Sequence, residues 1–334
     1  MKLDRWTRKP ALATATLLAG TLLAACGGQQ GGGDAGADVE EDSCEAGSGR
    51  LNIATGNSTG VYFVVGGGLA QLINDETDIQ ASSAETGASV QNIQQLVAGD
   101  YDIAFSLADT AADAVNGEGD FDGAQDIASL GRIYPNYTQV VARADSGIES
   151  IADFEGKTIS TGSPQSGTEV IATRLIESAG MSMDDVRAQR LDLTKTVEGM
   201  KDGSIDALVW SGGLPTPALT DLFTSLGDKV RFVDPTSELE NLQEISPVYE
   251  EATVPADTYD LPEDAPAILT ANHLLVRDDM RDNVACALTS LTFGETDKLA
   301  DVHPAVADIT VEDGAETDPI PLHPGSERAF EDLR

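Results

Sequence analysis

The chain has 334 residues and a formal charge of −37 at pH 7, from 57 acidic and 20 basic side chains. An acidic surface of this kind repels nucleic acid and anionic membrane faces, so the composition argues against both as partners. The three histidines lie 20 or more residues apart and no C-x-x-C is present. The sequence therefore predicts neither a metal site nor a cofactor.

The amino terminus has the pattern of a bacterial export signal. A basic start precedes an apolar run from Ala11 that is too short to span a membrane. The letters LAAC at 23–26 resemble the lipobox, in which the cysteine is lipidated. We therefore expect a signal peptide over 1–25 and an exported protein held on the outer face of the cell membrane through Cys26. An ordinary secretory signal with a chance cysteine is the alternative.

The next segment, residues 26–49, is rich in glycine and acid and has almost no apolar side chains. Because it cannot bury a core, it is predicted to be a flexible tether. Cys44 lies within it. With Cys286 it makes an even pair of cysteines in an exported chain, so a disulfide is possible, and two free thiols are the alternative.

From Arg50 onward, short apolar strands alternate with helical patterns, and the order occurs twice. LNIATG (51–56) is predicted to be a strand, and a helical pattern follows it. KTISTG (157–162) is a second predicted strand that is also followed by a helix. Matching glycines are separated by 106 residues (56 and 162) and by 104 residues (99 and 203). A nearly constant offset indicates two lobes of one design, and the alternation predicts an α/β fold.

The apolar segment APAILTANHLLV (265–276) is placed back in the first lobe. Lobe I then comprises residues 50–138 and 265–334, and lobe II comprises residues 139–264. Two chain segments connect the lobes, which is the arrangement of a hinge that closes about a ligand cleft.

The turn GNSTG (56–60) matches the G-x-S-x-G pattern of a hydrolase nucleophile. Ser58 lacks an upstream strand or loop to provide the second oxyanion donor, which disfavours the enzyme interpretation. A ligand cradle is the other interpretation, because GNSTG and GSPQSGT (162–168) both open helices whose free N–H groups favour a carboxylate. In the second turn an S-x-x-E capping box makes Ser166 the N-cap. Two well-capped helices without a ligand are the third possibility.

Small residues also follow two later strands, in SLADT (106–110) and WSGGLPTPAL (210–219). Ligands of open α/β sheets bind at the carboxyl edge of the strands. Trp210 is therefore predicted either as a wall of the pocket or as a core residue, and Tyr62 and Tyr134 carry the same two alternatives.

Ordered motifs across residues 50–334 resemble the TAXI family of solute receptors of TRAP transporters. They include IATGNSTGVYFVVGGGLAQLI, ASSAETGASVQNIQQLVAGDYDIAF, GSIDALVWSGGLPTPAL and IPLHPGSERAF. The resemblance implies a type II periplasmic-binding-protein fold with two α/β lobes, a hinge and a closing cleft. It also implies delivery of an organic anion to a membrane permease, the anion being a dicarboxylate, a keto acid, or an acidic or related amino acid such as glutamate or glutamine.

Carried onto this chain, the resemblance predicts ligand contacts from both lobes. They are Thr59, Tyr62, Ser89, Asn92, Tyr134, Ser166, Gly167, Thr168, Ser211 and Gly212. The family usually has paired glycines where this chain has Gly87-Ala88, and often Glu where it has Gln91, so the usual ligand does not transfer directly. We expect a non-enzymatic, monomeric receptor. A lipoprotein that senses a ligand for a signalling partner is the alternative.

Overall fold

The structure is a computed structural model that describes residues 35–334. The predicted signal peptide, the LAAC motif and Cys26 lie outside the described residues. Within residues 35–334, no helix has both the length and the apolar content needed to cross a membrane.

Ten strands within the described residues form one mixed sheet. Their bounds are β1 Ser48–Ala54, β2 Asp78–Ala84, β3 Ile103–Leu107, β4 Ile127–Arg143, β5 Thr158–Ser160, β6 Arg187–Gln189, β7 Ala207–Gly212, β8 Val230–Phe232, β9 Glu250–Val254 and β10 Ala265–Arg277. The strand order is β2-β1-β3-β10-β4-β7-β5-β6, with β8 beside β4 and β9 beside β10. The predicted α/β class is confirmed.

Helices flank this sheet. Their bounds are α1 Val61–Glu76, α2 Ser89–Val97, α3 Ala108–Asn116, α4 Gly167–Ser178, α5 Leu193–Asp202, α6 Pro217–Leu226, α7 Leu239–Ile245, α8 Asp282–Gly294, α9 Thr296–Ala300, α10 Val311–Gly314 and α11 Pro324–Leu333. The apolar residues predicted at helical spacing on α1 are buried: Val61, Val65, Leu69 and Leu72. Their burial follows from a 3.6-residue period that puts them on one face.

The sheet has two halves joined by its two longest strands, β4 and β10. We call residues 48–136 with 270–334 the first half, and residues 137–269 the second half. Strand β4 begins to pair with β7 at Tyr137. Strand β10 pairs with β9 as far as Leu269 and with β3 from Asn272. The return to the first half therefore comes a few residues after the boundary predicted at 265, because the first residues of β10 extend the second half.

The predicted repeat reappears in the paired elements of the two halves. In the first half β1 pairs in parallel with β2 and β3, and in the second half β5 pairs in parallel with β6 and β7. Gly99 and Gly203 follow α2 and α5 with φ of +80° and +84°. A left-handed residue after a helix is a site that glycine occupies without steric cost.

The described part of the predicted tether, from Ala35 onward, packs against the first half, and residues 26–34 lie outside the described residues. The side-chain amide of Asn283 on α8 donates to the carbonyls of Gly36 (3.3 Å) and Glu45 (3.0 Å). Cys44 and Cys286 form a disulfide with a Cα–Cα distance of 5.1 Å. We call residues 35–47 the strap. Its polar backbone gains partners from α8, which composition alone did not indicate.

Candidate functional site

A narrow cavity lies where the two halves meet, at the carboxyl ends of β1, β3 and β7. Its lining residues are Gly56, Asn57, Gly60, Val61, Tyr62, Gly87, Ala88, Ser89, Leu107, Asn136, Ser163, Ser166, Gly167, Thr168, Trp210, Ser211, Gly212 and Gly213. The cavity volume is about 30 Å³. One water needs about 10–15 Å³ of volume measured in this way, so the contacting halves leave room for only a small group.

Three helices begin at this cavity: α1 and α2 from the first half and α4 from the second. The N–H groups of Ser89 and Val90 on α2, and of Gly167 and Thr168 on α4, have no hydrogen-bond acceptor among the described residues. Open N–H groups and the positive ends of helix dipoles favour an anion. The arrangement therefore provides a cradle for a carboxylate or a similar group.

Local sequence explains why α4 begins here. Ser166 is the N-cap, and its hydroxyl accepts a hydrogen bond from the N–H of Glu169 at 3.0 Å. The Glu169 carboxylate accepts from the N–H of Gln165 at 2.8 Å, one residue before the N-cap. The predicted N-cap is confirmed. Because the cap satisfies the third helical N–H, the first two stay available to a ligand.

The starts of α2 and α4 approach each other closely. A methyl group added to Gly167 would lie 2.6 Å from Cδ1 of Leu107 and 2.7 Å from Oγ of Ser89. Only glycine leaves room for the two halves to meet at this point. Ser89 also supports the neighbouring strand, because its hydroxyl accepts a hydrogen bond from the N–H of Leu107 at 3.1 Å.

A hydrogen-bonded group of three side chains forms another wall of the site. The Tyr62 hydroxyl donates to Oδ1 of Asn272 at 2.6 Å, and the Asn136 amide donates to the same oxygen at 3.1 Å. The Asn272 amide donates to the carbonyl of Tyr134 at 2.8 Å. Burial raises the pKa of the Tyr62 phenol well above its usual value. The phenol therefore stays a donor at neutral pH.

Hydrogen bonds between the two halves surround the cavity. The Asn57 side-chain amide donates to the Ser163 hydroxyl at 3.0 Å, and its Oδ1 accepts from the N–H of Leu193 at 3.0 Å. The N–H of Gln91 donates to the carbonyl of Gln165 at 3.0 Å. These bonds can form only when the halves are in contact, so they hold the cleft closed.

A second contact between the halves consists of buried charges. Arg174 on α4 contacts Asp109 at 3.2 Å and Asp113 at 2.6 Å, both on α3. The Tyr249 hydroxyl donates to Asp109 at 2.6 Å. Burial raises the pKa of the Asp113 carboxyl, an effect that Arg174 opposes. We call these four residues the charge cluster.

Seven of the ten predicted ligand contacts line the cavity. They are Tyr62, Ser89, Ser166, Gly167, Thr168, Ser211 and Gly212. Sequence reasoning missed Asn57, Asn136 and Asn272. Asn57 stands in the quoted GNSTG turn and was open to prediction. Asn136 and Asn272 lie on β4 and β10, and the sequence carries no signal that pairs them.

The other three predicted contacts lie outside the cavity lining. The Asn92 side chain donates to the carbonyls of Thr55 (2.7 Å) and Phe105 (2.8 Å), so it holds the backbone at the ends of β1 and β3 together. Tyr134 is fully buried among the apolar residues of the first half. Thr59 contacts the Thr194 hydroxyl of the other half at 3.3 Å. Tyr134 therefore belongs to the core and Thr59 to the contact between the halves, and a ligand contact at any of the three residues stays a prediction.

Trp210 combines the two roles predicted for it. Its indole lines the cavity opposite Gly60 and also belongs to a buried apolar cluster of the second half. The indole N–H donates to the Thr216 hydroxyl at 3.1 Å. Because that donor is already satisfied, Trp210 offers a ligand an apolar surface.

The site also explains the two departures from the family pattern. Ala88 has φ +86° and ψ −150°, a conformation suited to glycine, and it is one of the residues that line the cavity. Gln91 accepts a hydrogen bond from the N–H of Gly87 through its side-chain oxygen. Ala88 therefore belongs to the cavity lining, whereas Gln91 lies behind it and supports the backbone at Gly87.

The structure gives Ser58 no catalytic partner. Ser58 is exposed, lies outside the cavity lining, and its N–H donates to the Glu85 carboxylate at 3.0 Å. Among the described residues, the histidine rings bond elsewhere: His273 to Ser129, and His303 and His323 to backbone groups. The arrangement provides no base for a hydrolase nucleophile.

A family model described as the NMT1-like family matches residues 53–332. The chain belongs to the NMT1-like family. The match covers most of both halves and every lining residue of the cavity. The narrower TAXI assignment stays a prediction.

Solved structures with a similar fold come from several bacteria. A protein from Bordetella bronchiseptica RB50 is 18% identical, with a TM-score of 0.56 over 85% of this chain and 98% of that one. A binding-protein component of an ABC phosphonate transporter from Pseudomonas aeruginosa is 14% identical, with a TM-score of 0.49 over 78% and 80%. The periplasmic aliphatic sulphonate binding protein of Escherichia coli is 14% identical, with a TM-score of 0.43 over 85% and 83%.

At sequence identities of 14–18%, these comparisons bear on the fold alone. The predicted type II periplasmic-binding-protein fold is confirmed: two parallel half-sheets are joined through the long antiparallel strands β4 and β10. The cavity lies between the half-sheets, at the carboxyl ends of their strands, where open α/β sheets bind ligands.

Proposed function

We propose that the protein is an extracytoplasmic solute receptor that captures a small organic anion by closing its two halves over it. The observation that carries this proposal is the meeting of α1, α2 and α4 with their amino-terminal ends at one enclosed cavity. Helix starts of this kind bind carboxylates through N–H groups, and a type II fold provides the hinge.

Closure and binding are linked through groups that lie on opposite halves. Ser89 belongs to α2 of the first half, while Gly167 and Thr168 belong to α4 of the second. An anion that bridges these N–H groups gains its full set of hydrogen bonds only when the halves meet. The ligand therefore shifts the protein toward the closed state, which is the form that a transporter can recognise.

The partner that we propose is a TRAP-type membrane permease. The motifs of residues 50–334 favour it through their resemblance to TAXI receptors. The general role that we propose is transport of the captured solute. We further propose that the monomer is anchored by lipid at Cys26, which keeps it beside the permease.

Ligand binding is tested by a thermal-shift screen of the purified full chain against dicarboxylates, keto acids and amino acids. A ligand at 100 times its dissociation constant stabilises the native state by about 2.7 kcal/mol, which raises the unfolding midpoint measurably. A saturable shift supports the receptor. No shift with any carboxylate contradicts the anion-receptor function.

The permease is tested separately from the ligand. The chain is retained as bait on a support, and membrane extracts of the source organism are passed over it with and without the ligand found in the screen. We expect ligand-dependent capture of a membrane permease. Capture of a signalling protein instead would favour the sensing role.

A further inference from the structure

We propose, resting on the receptor function above, that the cavity selects a carboxylate with a single negative charge that also carries an N–H or O–H donor. The donor is recognised by Oδ1 of Asn136. Asn272, which holds the Asn136 amide in one orientation, acts as a positioning residue. Two independent features of the cavity carry this inference: an unpaired buried acceptor and a lining without charged side chains.

The first feature is an acceptor without a partner. Asn136 lines the cavity, has 1% of its surface exposed, and its Oδ1 forms no hydrogen bond within residues 35–334. A buried acceptor left unpaired is costly, so a ligand donor placed there gains more than it would at the protein surface.

The orientation of the Asn136 amide follows from its neighbours. The Asn272 amide donates to the Tyr134 carbonyl at 2.8 Å, so Oδ1 of Asn272 must face the other way. That oxygen accepts from the Tyr62 hydroxyl at 2.6 Å and from Asn136 at 3.1 Å. Rotating the Asn136 amide by 180° would place two oxygens against each other. Asn136 is therefore fixed with its nitrogen toward Asn272, which leaves its oxygen without a hydrogen-bond partner among the described residues.

The second feature is the neutrality of the lining. Although the chain carries a formal charge of −37, none of the 18 residues that line the cavity is charged. The dipoles of the helix starts stabilise one bound carboxylate. A second carboxylate would be buried without a cation, which is strongly unfavourable. This argues against a dicarboxylate. A zwitterion or a hydroxy acid places a donor, not a second negative charge, in the remaining space.

The test uses calorimetric titration of the full chain with two matched ligand series. The three-carbon series is propionate, pyruvate, lactate and alanine. The five-carbon series is pentanoate, 2-oxopentanoate, 2-hydroxypentanoate and norvaline, with glutarate as the dianion. In at least one series, we expect the hydroxy or amino member to bind about 10- to 100-fold more tightly than the unsubstituted and keto members. We expect glutarate to bind more weakly than the donor-bearing five-carbon ligand.

The variant Asn136→Leu removes the acceptor while keeping a side chain of similar size. Oδ1 of Asn272 keeps the Tyr62 hydroxyl as its donor, so the change leaves no new unpaired acceptor there. We expect the preference for donor-bearing ligands to fall to within about threefold, because carboxylate binding at the helix starts remains. Asn241→Leu is the control: Asn241 is exposed and bonds only to the Ser178 carbonyl, so the preference should be unchanged.

The outcomes separate this inference from the receptor function. Equal binding of donor-bearing and donor-free ligands in the wild-type protein overturns the donor rule while the receptor stands. Tighter binding of glutarate, or a full preference retained in a folded Asn136→Leu protein, also overturns it. Failure of every carboxylate to bind overturns the receptor function and the donor rule together. The wild-type series decides the question even if the variant does not fold.

Discussion

The cavity and the charge cluster both join the two halves, but they use opposite chemistry. The cavity is lined by hydroxyls, amides, glycines and apolar groups without a single charge. The charge cluster places Arg174 between Asp109 and Asp113, with Asp109 fully buried. Full charges suit a contact in which the protein itself supplies both partners. Dipoles suit a site that must also exist without its ligand, because an unpaired buried charge costs far more than an unpaired N–H group.

The largest expected effect is the loss of stability when the charge cluster is broken. Arg174→Met leaves the Asp109 and Asp113 carboxylates buried without their cation, and we expect a loss of about 3–5 kcal/mol in the free energy of unfolding. Urea denaturation measures this loss. Thr173→Val, one residue earlier on the same helix, removes a hydroxyl that bonds only the Glu169 carbonyl and should cost far less. Equal losses in the two variants would contradict the assigned importance of the buried charges.

A second prediction is that the stability of the fold falls at acidic pH, whereas ligand affinity is constant at neutral to alkaline pH. Burial lowers the pKa of His273 to about 3, while the same imidazole in the unfolded chain titrates near its ordinary value of 6.5. The unfolded state therefore binds more protons between these values, and stability is lost as the pH falls below about 6.5. We expect a loss of about 2–4 kcal/mol by pH 4, measured by urea denaturation at several pH values.

The variant His273→Gln should reduce this loss, because glutamine does not titrate. By contrast, ligand affinity should stay nearly constant from pH 7 to 9. No lining side chain titrates in that range, since the Tyr62 phenol has a pKa well above its usual value. An affinity that changes tenfold over that range would indicate a charged group in the site and would weaken the contrast between the cavity and the charge cluster.

A third prediction concerns the hydroxyls at the start of α4. We expect Ser166→Ala and Thr168→Val each to weaken ligand binding by about 1–3 kcal/mol if these hydroxyls bond the ligand. Ser166→Ala should also lower stability by about 0.5–2 kcal/mol through loss of the N-cap. Calorimetry and denaturation measure the two effects separately. Wild-type affinity in both variants would contradict ligand contacts from these two hydroxyls.

The smallest expected effect comes from relieving strain in the cavity lining. Ala88 has φ +86° and ψ −150°, which costs a side chain about 1–3 kcal/mol, whereas glycine adopts it freely. We expect Ala88→Gly to raise stability by about 1 kcal/mol, after the entropy cost of glycine is deducted. Ala98→Gly is the control, since Ala98 is in the right-handed region and should be destabilised. Thermal denaturation distinguishes the two.

The sequence by itself determined the local features. Its alternation of short apolar runs and helical patterns predicted an α/β fold, and the nearly constant glycine offset predicted two related halves. Capping chemistry identified Ser166 as an N-cap and directed attention to the N–H groups of Gly167 and Thr168. These features depend on neighbours within a few residues, which is the range over which sequence patterns are informative.

Tertiary structure decided which of these features meet. Asn136 and Asn272 are 136 residues apart in the chain and come together only because β4 pairs with β10, with Asn272 at a register shift between Ala271 and His273. The bonds of Asn92 to Thr55 and Phe105 likewise join separate strands, and the sequence pattern around Asn92 does not indicate them. The strap resembled a tether because its partners lie on α8. In each case the deciding hydrogen bond joins residues distant in sequence, which a single sequence without aligned relatives does not reveal.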